Sequence, residues 1–265
     1  MENNDVIFKR ENGVATITLN RPDKRNALIP GIRDGLLESL EIAGNDDDIK
    51  VIVLTGTGKA FCSGGDVKAL AENAKNRETE EPQQPPPRAP RLHLALLLQQ
   101  CEKPIIAAVN GMAIGFGCDM ALACDIRIAS ESATFSEAYI RRGIAPSGGG
   151  AYFLPRLVGI DKACQLIFTG EIIDAEEAGR IGMVTKVVPD DELESATLEI
   201  AENIAKMPLL ALKASKKAIY HGLETDLKTS MEYVAAVRLE LLKSEDHKEG
   251  TVSFVEKRAP QFKDK

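Results

Sequence analysis

Residues 104–125 read PIIAAVNGMAIGFGCDMALACD, and this stretch decides the fold. Its first six residues form an apolar run of the kind found in a strand buried on both faces of a sheet. Gly111, Gly115 and Gly117 then break the run, and 117–124 has the composition and length of a short helix. The reading is strand, glycine-rich turn, helix. A second junction of the same kind lies upstream, where IKVIVLTG (49–56) leads to AFCSGGD (60–66). At such a junction the leading N–H groups of the helix have no intrahelical acceptor and sit at the positive end of its dipole. One junction binds any anion. Two of them suggest a pair of N–H donors converging on one oxygen, the equipment for stabilising an enolate or a tetrahedral oxyanion.

Outward from these junctions, strands are expected at 6–9 and 14–19 around a turn at 11–13, at 49–54, 105–109 and 126–129, with a short extended piece at 134–136. Helices are expected at 26–43, from Asp66 to about Lys75, at 91–100 and at 117–124. Strands alternating with helices imply right-handed crossovers and a mostly parallel sheet, hence an α/β fold. After Gly170 the pattern changes: 175–181, 191–206, 209–221, 226–242 and 244–257 all read as helices, with Pro208 as a start signal between two of them. The chain thus divides into a core (1–190) and a helical region (191–265) whose apolar faces call for a partner, one source of which is another subunit. Residues 76–90, NRETEEPQQPPPRAP, are too proline-rich and polar to pack a core and read as a surface loop or a lid.

The 265 residues are 44% hydrophobic, enough for a substantial core. A net charge of −7 argues against a nucleic-acid-binding protein, whose footprint is a basic face. Five cysteines without a C-x-x-C spacing suggest neither a disulfide framework nor a metal site. The opening MENNDVIFKR has no signal-like apolar segment, and no run of about 18 apolar residues occurs, so the expectation is a cytoplasmic protein without a membrane partner. GTGKAF (56–61) and GFGCDM (115–120) each lack the last glycine of a dinucleotide fingerprint, and no phosphate-loop motif is present.

The junctions also nominate side chains. Asp119 lies three residues beyond Phe116, on a neighbouring part of the same helical face. An acid one turn from an oxyanion donor is well placed as a base; the alternative is an aspartate that neutralises the helix dipole. Asp66 reads as the cap of the helix after the first junction.

Seven pieces of sequence, in order, then carry a specific resemblance: NRPDKRNAL (20–28), AFCSGGDVK (60–68), KPIIAAVNGMAIGFGCDMALACDIRIAS (103–130), ATF (133–135), FLPRLVG (153–159), LIFTGEIIDAEEAGRIGMVTKVVP (166–189) and VEKRAPQF (255–262). Together they resemble the crotonase, or enoyl-CoA hydratase/isomerase, family over essentially the whole chain. The resemblance implies a crotonase-like spiral of βα-type turns followed by a helical C-terminal trimerisation region. It implies a homotrimer or homohexamer acting on an acyl-CoA thioester, coenzyme A being part of the substrate and no separate cofactor being needed. By motif position it puts the oxyanion hole at the backbone N–H groups of Gly65 and Phe116. Lys68 and, from a neighbouring subunit, Lys257 fall at places suited to the CoA phosphates.

The two glutamates that hold water in the hydratases this chain resembles fall at Asp119 and Tyr139. A phenol with a pKa of about 10 is a hydrogen-bond or proton donor rather than a base. With Asp119 as acid/base, Tyr139 or Glu137 is the candidate to assist it in place of the second carboxylate, the alternative for Glu137 being a structural or solvent-facing residue; Glu137 shares a face with Tyr139 if 135–139 is extended and diverges from it if helical. Ser147 stands near the place where some relatives carry a carboxylate, which weakens dehalogenase-like and some isomerase-like readings. His93, between Leu92 and Leu94, reads as a surface or hydrogen-bonded histidine. Hydration of a 2-enoyl-CoA leads. Isomerisation of a double bond, thioester hydrolysis or decarboxylation, and acyl-CoA binding with little turnover remain as alternatives.

Overall fold

The computed structural model describes residues 5–66, 71 and 94–264. The expected helix after Asp66, the 76–90 segment, Lys68 and His93 therefore fall wholly or largely outside the described residues. The chain begins with a hairpin of β1 (Val6–Glu11) and β2 (Val14–Leu19), closed by Asn12 and Gly13, both in the left-handed region (φ 51° and 78°), as a two-residue turn matching strand twist requires. Helix α1 (Pro30–Asn45) leads to β3 (Val51–Gly56) and β4 (Ala60–Cys62). Next come α2 (Leu94–Gln100), β5 (Ile105–Val109), β6 (Met112–Ile114) and α3 (Phe116–Ala123). Strands β7 (Ile126–Ser130) and β8 (Thr134–Ser136) precede a 3₁₀ turn at Ala138–Arg142, α4 (Gly150–Val158) and α5 (Ile160–Thr169). Then follow β9 (Ile173–Asp174), α6 (Ala175–Arg180), β10 (Lys186–Val188) and helices α7 (Leu193–Ala205), α8 (Leu209–Gly222), α9 (Leu227–Leu241) and α10 (Glu245–Glu256).

Two sheets organise these elements, one in the order β1-β2-β3-β5-β7-β10 and a shorter one in the order β4-β6-β8-β9. Each pass of the chain lays a longer strand into the first sheet and a short one into the second: β3 then β4, β5 then β6, β7 then β8. This is the spiral of repeated turns. β2, β3, β5, β7 and β10 run parallel in the first sheet, and β4, β6 and β8 run parallel in the second. The carboxyl ends of β4, β6 and β8 consequently lie side by side.

The central strands of the long sheet, β3 and β5, are buried on both faces, which is why they read as almost continuous apolar runs, whereas the edge strand β1 carries exposed Lys9, Arg10 and Glu11. Val14, Val51, Val53, Ile106, Ala108 and Ile128 alternate onto the face covered by Leu193, Ala196 and Ala201 of α7. Ile17, Ile52, Leu54, Ile105 and Ala107 point the other way, toward Ile32 and Leu36 of α1, Phe61 and Phe135 of the short sheet, and Met120 of α3.

One element starts later than its periodicity predicts. The helix expected at 26–43 begins at Pro30, because Asn26 is fully buried in the left-handed region (φ 54°) with its side chain committed elsewhere. Its Oδ1 accepts from the Arg21 N–H at 2.8 Å, and its Nδ2 donates to the Ala60 carbonyl at 2.7 Å. Pro30, with φ preset and no N–H to satisfy, then opens the helix.

Three buried cations close helix ends. Lys103 Nζ donates to the carbonyls of Ala43 (2.7 Å) and Asp46 (2.6 Å) at the end of α1. Arg127 donates to the carbonyls of Cys124 (2.6 Å) and Met183 (2.8 Å) after α3. Lys216, on α8, donates to the Leu98 carbonyl in the last turn of α2 (3.5 Å) and to the Lys103 carbonyl (3.1 Å), and pairs with Asp125 (2.8 Å). Cations suit the negative end of the helix dipole and satisfy carbonyls that have no helical partner.

Candidate active site

The carboxyl ends of the three parallel short strands supply the site. β4 ends at Cys62, and the following loop is anchored by a bridge between Leu28 and Gly65, with the Leu28 N–H donating to the Gly64 carbonyl at 2.7 Å. Gly64 has φ +85°, and a methyl group on it would lie 2.6 Å from the Ile114 carbonyl oxygen and 3.4 Å from the Phe116 nitrogen. Only glycine fits there, and the contact measures how closely the two junctions approach. β6 ends at Ile114, and α3 starts at Phe116, whose N–H is the first of the helix and has no intrahelical acceptor. A methyl group on Gly117 would lie 2.7 Å from the Cys62 carbonyl carbon, so this glycine lets α3 pack directly on the end of β4. The two junctions pack against each other at backbone level.

Asp119, in the first turn of α3, is fully buried. Its Oδ2 accepts a short hydrogen bond from the Tyr139 hydroxyl and one of 2.9 Å from the Gly148 N–H. Its Oδ1 has no hydrogen-bond partner. Burial raises the Asp119 carboxyl above the usual carboxylate range, while the Tyr139 hydroxyl and the N–H groups of Gly150 and Gly148 pull in the opposite direction. Burial and the Asp119 charge hold the Tyr139 phenol protonated throughout the physiological range. Its ring packs over Gly115, where a methyl group would touch it at 3.9 Å.

Glu137 follows directly on β8 and is 2% exposed. The strand stops at Ser136 and the chain turns, with the Tyr139 N–H donating to the Glu137 carbonyl at 2.8 Å. The segment is therefore neither wholly extended nor wholly helical. Tyr139 reaches Oδ2 of Asp119 while Glu137 lies behind, within reach of the same spot as Oδ1: a methyl group on Gly150 would lie 2.5 Å from Asp119 Oδ1 and 2.7 Å from Glu137 Oε1. Gly65, Phe116, Asp119, Tyr139 and Glu137 thus belong to one neighbourhood. Lys257 sits exposed at the left-handed end of α10 (φ 56°), and no contact joins it to these residues among those described.

Sequence reasoning passed over the glycines that open α4. Gly148 gives Asp119 a backbone donor, and the start of α4 brings its positive end toward the carboxylate. The signal was the run of three glycines after Ser147. Beside Gly148 lies a cavity of about 360 Å³, walled by Ala95 and Leu96 of α2 and by Tyr152 and Phe153 of α4. No cluster of residues suited to a metal ion occurs among the described residues. No helix among them is long and apolar enough to cross a membrane.

Chemically, this is a buried carboxylate with one oxygen held by a phenol and an amide, next to two converging backbone junctions. Comparison with known proteins gives the same neighbourhood a family context. Residues 9–265 match the profile of a family described as enoyl-CoA hydratase/isomerase. The chain is 41% identical over 262 residues, 97% of each chain, to a short-chain-enoyl-CoA hydratase of Clostridium acetobutylicum. It is 37% identical, over 98% of each chain, to a 2,3-dehydroadipyl-CoA hydratase of Escherichia coli. Among solved structures, an enoyl-CoA hydratase from Bacillus anthracis superposes with a TM-score of 0.89 at 34% identity, covering 98% of this chain and all of the other.

Proposed function

The chain belongs to the enoyl-CoA hydratase/isomerase family, and from that premise we propose that it adds water across the double bond of a 2-enoyl-CoA. The observation that carries the proposal is Asp119: a buried carboxylate beside the Phe116 junction, with Tyr139 and Gly148 donating to one of its oxygens. The thioester carbonyl accepts hydrogen bonds from the N–H groups of Gly65 and Phe116. Water enters where the Tyr139 hydroxyl meets Asp119 Oδ2. Asp119 takes a proton from this water as its oxygen bonds to C3, and the π electrons move onto the thioester oxygen as an enolate. The enolate collapses, and C2 takes the proton back from Asp119. One carboxyl group thus serves both steps on one face, which makes the addition syn. Backbone donors fixed before the reaction stabilise the enolate without reorganisation, and a positioned acid–base group contributes about 10²–10⁴-fold.

The acyl group lies in the cavity beside Gly148. Lys68 and Lys257 of a neighbouring copy hold the CoA phosphates. We place the working protein in the cytoplasm as a homotrimer or a pair of trimers, with 191–265 as the region that joins subunits. Exposed apolar side chains on that region and on α5, such as Phe254 (84% exposed), Leu227 (77%) and Phe168 (70%), are the surfaces that assembly would cover. Because Tyr139 stands where a second base is expected, isomerisation is the second reading. A product panel separates the readings: 2-enoyl-CoAs should give 3-hydroxyacyl-CoAs. Conversion of 3-enoyl-CoAs to 2-enoyl-CoAs without hydration would favour isomerisation, release of free coenzyme A would favour hydrolysis, and tight binding without turnover would remove the enzyme reading.

A further inference from the structure

We infer that Glu137 stands behind Asp119 as a neutral acid and that the two carboxyl groups share one proton, which makes Glu137 the positioning residue that occupies Oδ1 and leaves Asp119 Oδ2, oriented by Tyr139 and Gly148, to act as the base. This rests on the proposed role of Asp119 and adds a second carboxyl group that the family pattern at Tyr139 does not supply. Three carboxyl oxygens, Asp119 Oδ1 and both of Glu137, are buried without a hydrogen-bond partner. Leaving that many acceptors unsatisfied is costly, and the cost disappears for two of them if a proton lies between the groups. The geometry permits it, since Oδ1 and Oε1 both lie against the position that a Gly150 methyl group would fill. Two adjacent buried carboxylates do not both ionise.

The surroundings decide which group is charged. Asp119 has the Tyr139 hydroxyl and the Gly148 N–H on Oδ2 and sits in the first turn of α3. Glu137 has no hydroxyl or backbone N–H donor of this kind, only the weakly donating Cys118 thiol. Its titratable neighbours are Asp119 and Cys118 from α3, Tyr139 from its own turn, and Glu171, which lines the same small cavity. The rest of that wall is Phe135, Ser136, Leu154, Leu166, Ile173 and Met183, and no cation lines it among the described residues. Burial and then the Asp119 charge raise Glu137 well above the usual carboxylate range, consistent with a proton resident on Glu137. Donating that proton to Oδ1 points the other edge of Asp119, Oδ2, toward the reacting atoms. When alkali removes it, a second negative charge appears beside the developing enolate and slows the reaction.

The test compares kcat/KM for crotonyl-CoA against pH in the wild type, Glu137→Gln and Glu137→Ala, together with thermal melts of the same proteins. The wild-type rate should fall on the alkaline side, and the glutamine variant, which donates but cannot ionise, should lose that fall. The alanine variant removes the donor to Oδ1, so its acidic limb should move up by about one unit. The melts carry a sign of their own. Glu137 holds its proton in the folded state above the pH at which it loses it unfolded, so its stabilising contribution is complete in acid and is lost as pH rises. The wild type should therefore melt below the glutamine variant at about pH 9, and the gap should close toward about pH 5. Rate profiles and melting curves of the glutamine variant that parallel the wild type throughout would overturn the inference. Failure of the Asp119 role would appear separately, as full turnover by Asp119→Asn.

Discussion

At the scale of single residues, the account places the chemistry on Asp119 and its partners. Replacing Asp119 with asparagine keeps the shape and removes the base, so turnover should fall by about 10²–10⁴-fold in a steady-state assay. Tyr139→Phe has a different signature. The phenol holds the Asp119 carboxyl down against burial, so its loss should raise that carboxyl further. A base must be ionised to act, so the acidic limb of the pH–rate profile should move upward, with kcat lower at neutral pH. A variant whose acidic limb stays put would show that the short hydrogen bond does not tune the base. Asp119, Phe116 and Gly65 were legible in the sequence because a glycine-rich strand-to-helix junction leaves a recognisable spacing. The partnership of Glu137 was not, because it depends on where β8 stops and how sharply the chain turns. Gly148 was missed because it follows a 3₁₀ turn and a loop rather than a strand, so no strand-to-helix spacing marked it as a donor.

At the scale of elements, the site depends on α3 being pressed onto β4 and held at its far end. Gly117→Ala would drive a methyl group into the Cys62 carbonyl, backbone against backbone, where neither side can yield easily. Chemical denaturation should show a loss of about 2–4 kcal/mol, and activity should fall because the Gly65 and Phe116 junctions separate. Arg127→Met should be destabilising to a similar degree, about 2–4 kcal/mol, since it strands the carbonyls of Cys124 and Met183 in the interior. A melting curve that matches the wild type for either variant would refute the packing argument. The longer strands and the C-terminal helices were readable from periodicity. β4 and β6, of three residues each, are too short to show a period, so the second sheet was invisible until the registers placed it. The start of α1 was misread because the Leu28 and Ile32 spacing continues a helical pattern upstream of residues that Asn26 holds in another conformation.

At the scale of the whole molecule, exposed large apolar side chains gather on the C-terminal helices, among them Ile219, Leu227, Met231, Leu239 and Phe254. Light scattering after gel filtration should give a mass of three or six chains of 28.7 kDa. Substituting Leu227 and Phe254 with charged residues should shift that mass downward, and a wild-type protein that runs as a monomer would contradict the assembly. The alternation of strands and helices announced the α/β class, and the pattern after Gly170 announced the run of helices, but the first long one, α7, lies on the long sheet of the core rather than in a layer apart from it. What the layer covers was not legible, because an apolar helical face does not say whose surface it meets. The central claim is syn hydration through Asp119, and its most direct measurement is the stereochemistry of crotonyl-CoA hydration in deuterated water, read by NMR for the wild type and Asp119→Asn. The account predicts a 3-hydroxyacyl-CoA with deuterium at C2 on the same face as the new hydroxyl, formed by the variant about 10²–10⁴-fold more slowly. A mixture of faces at C2, or the same product from Asp119→Asn at an undiminished rate, would contradict it.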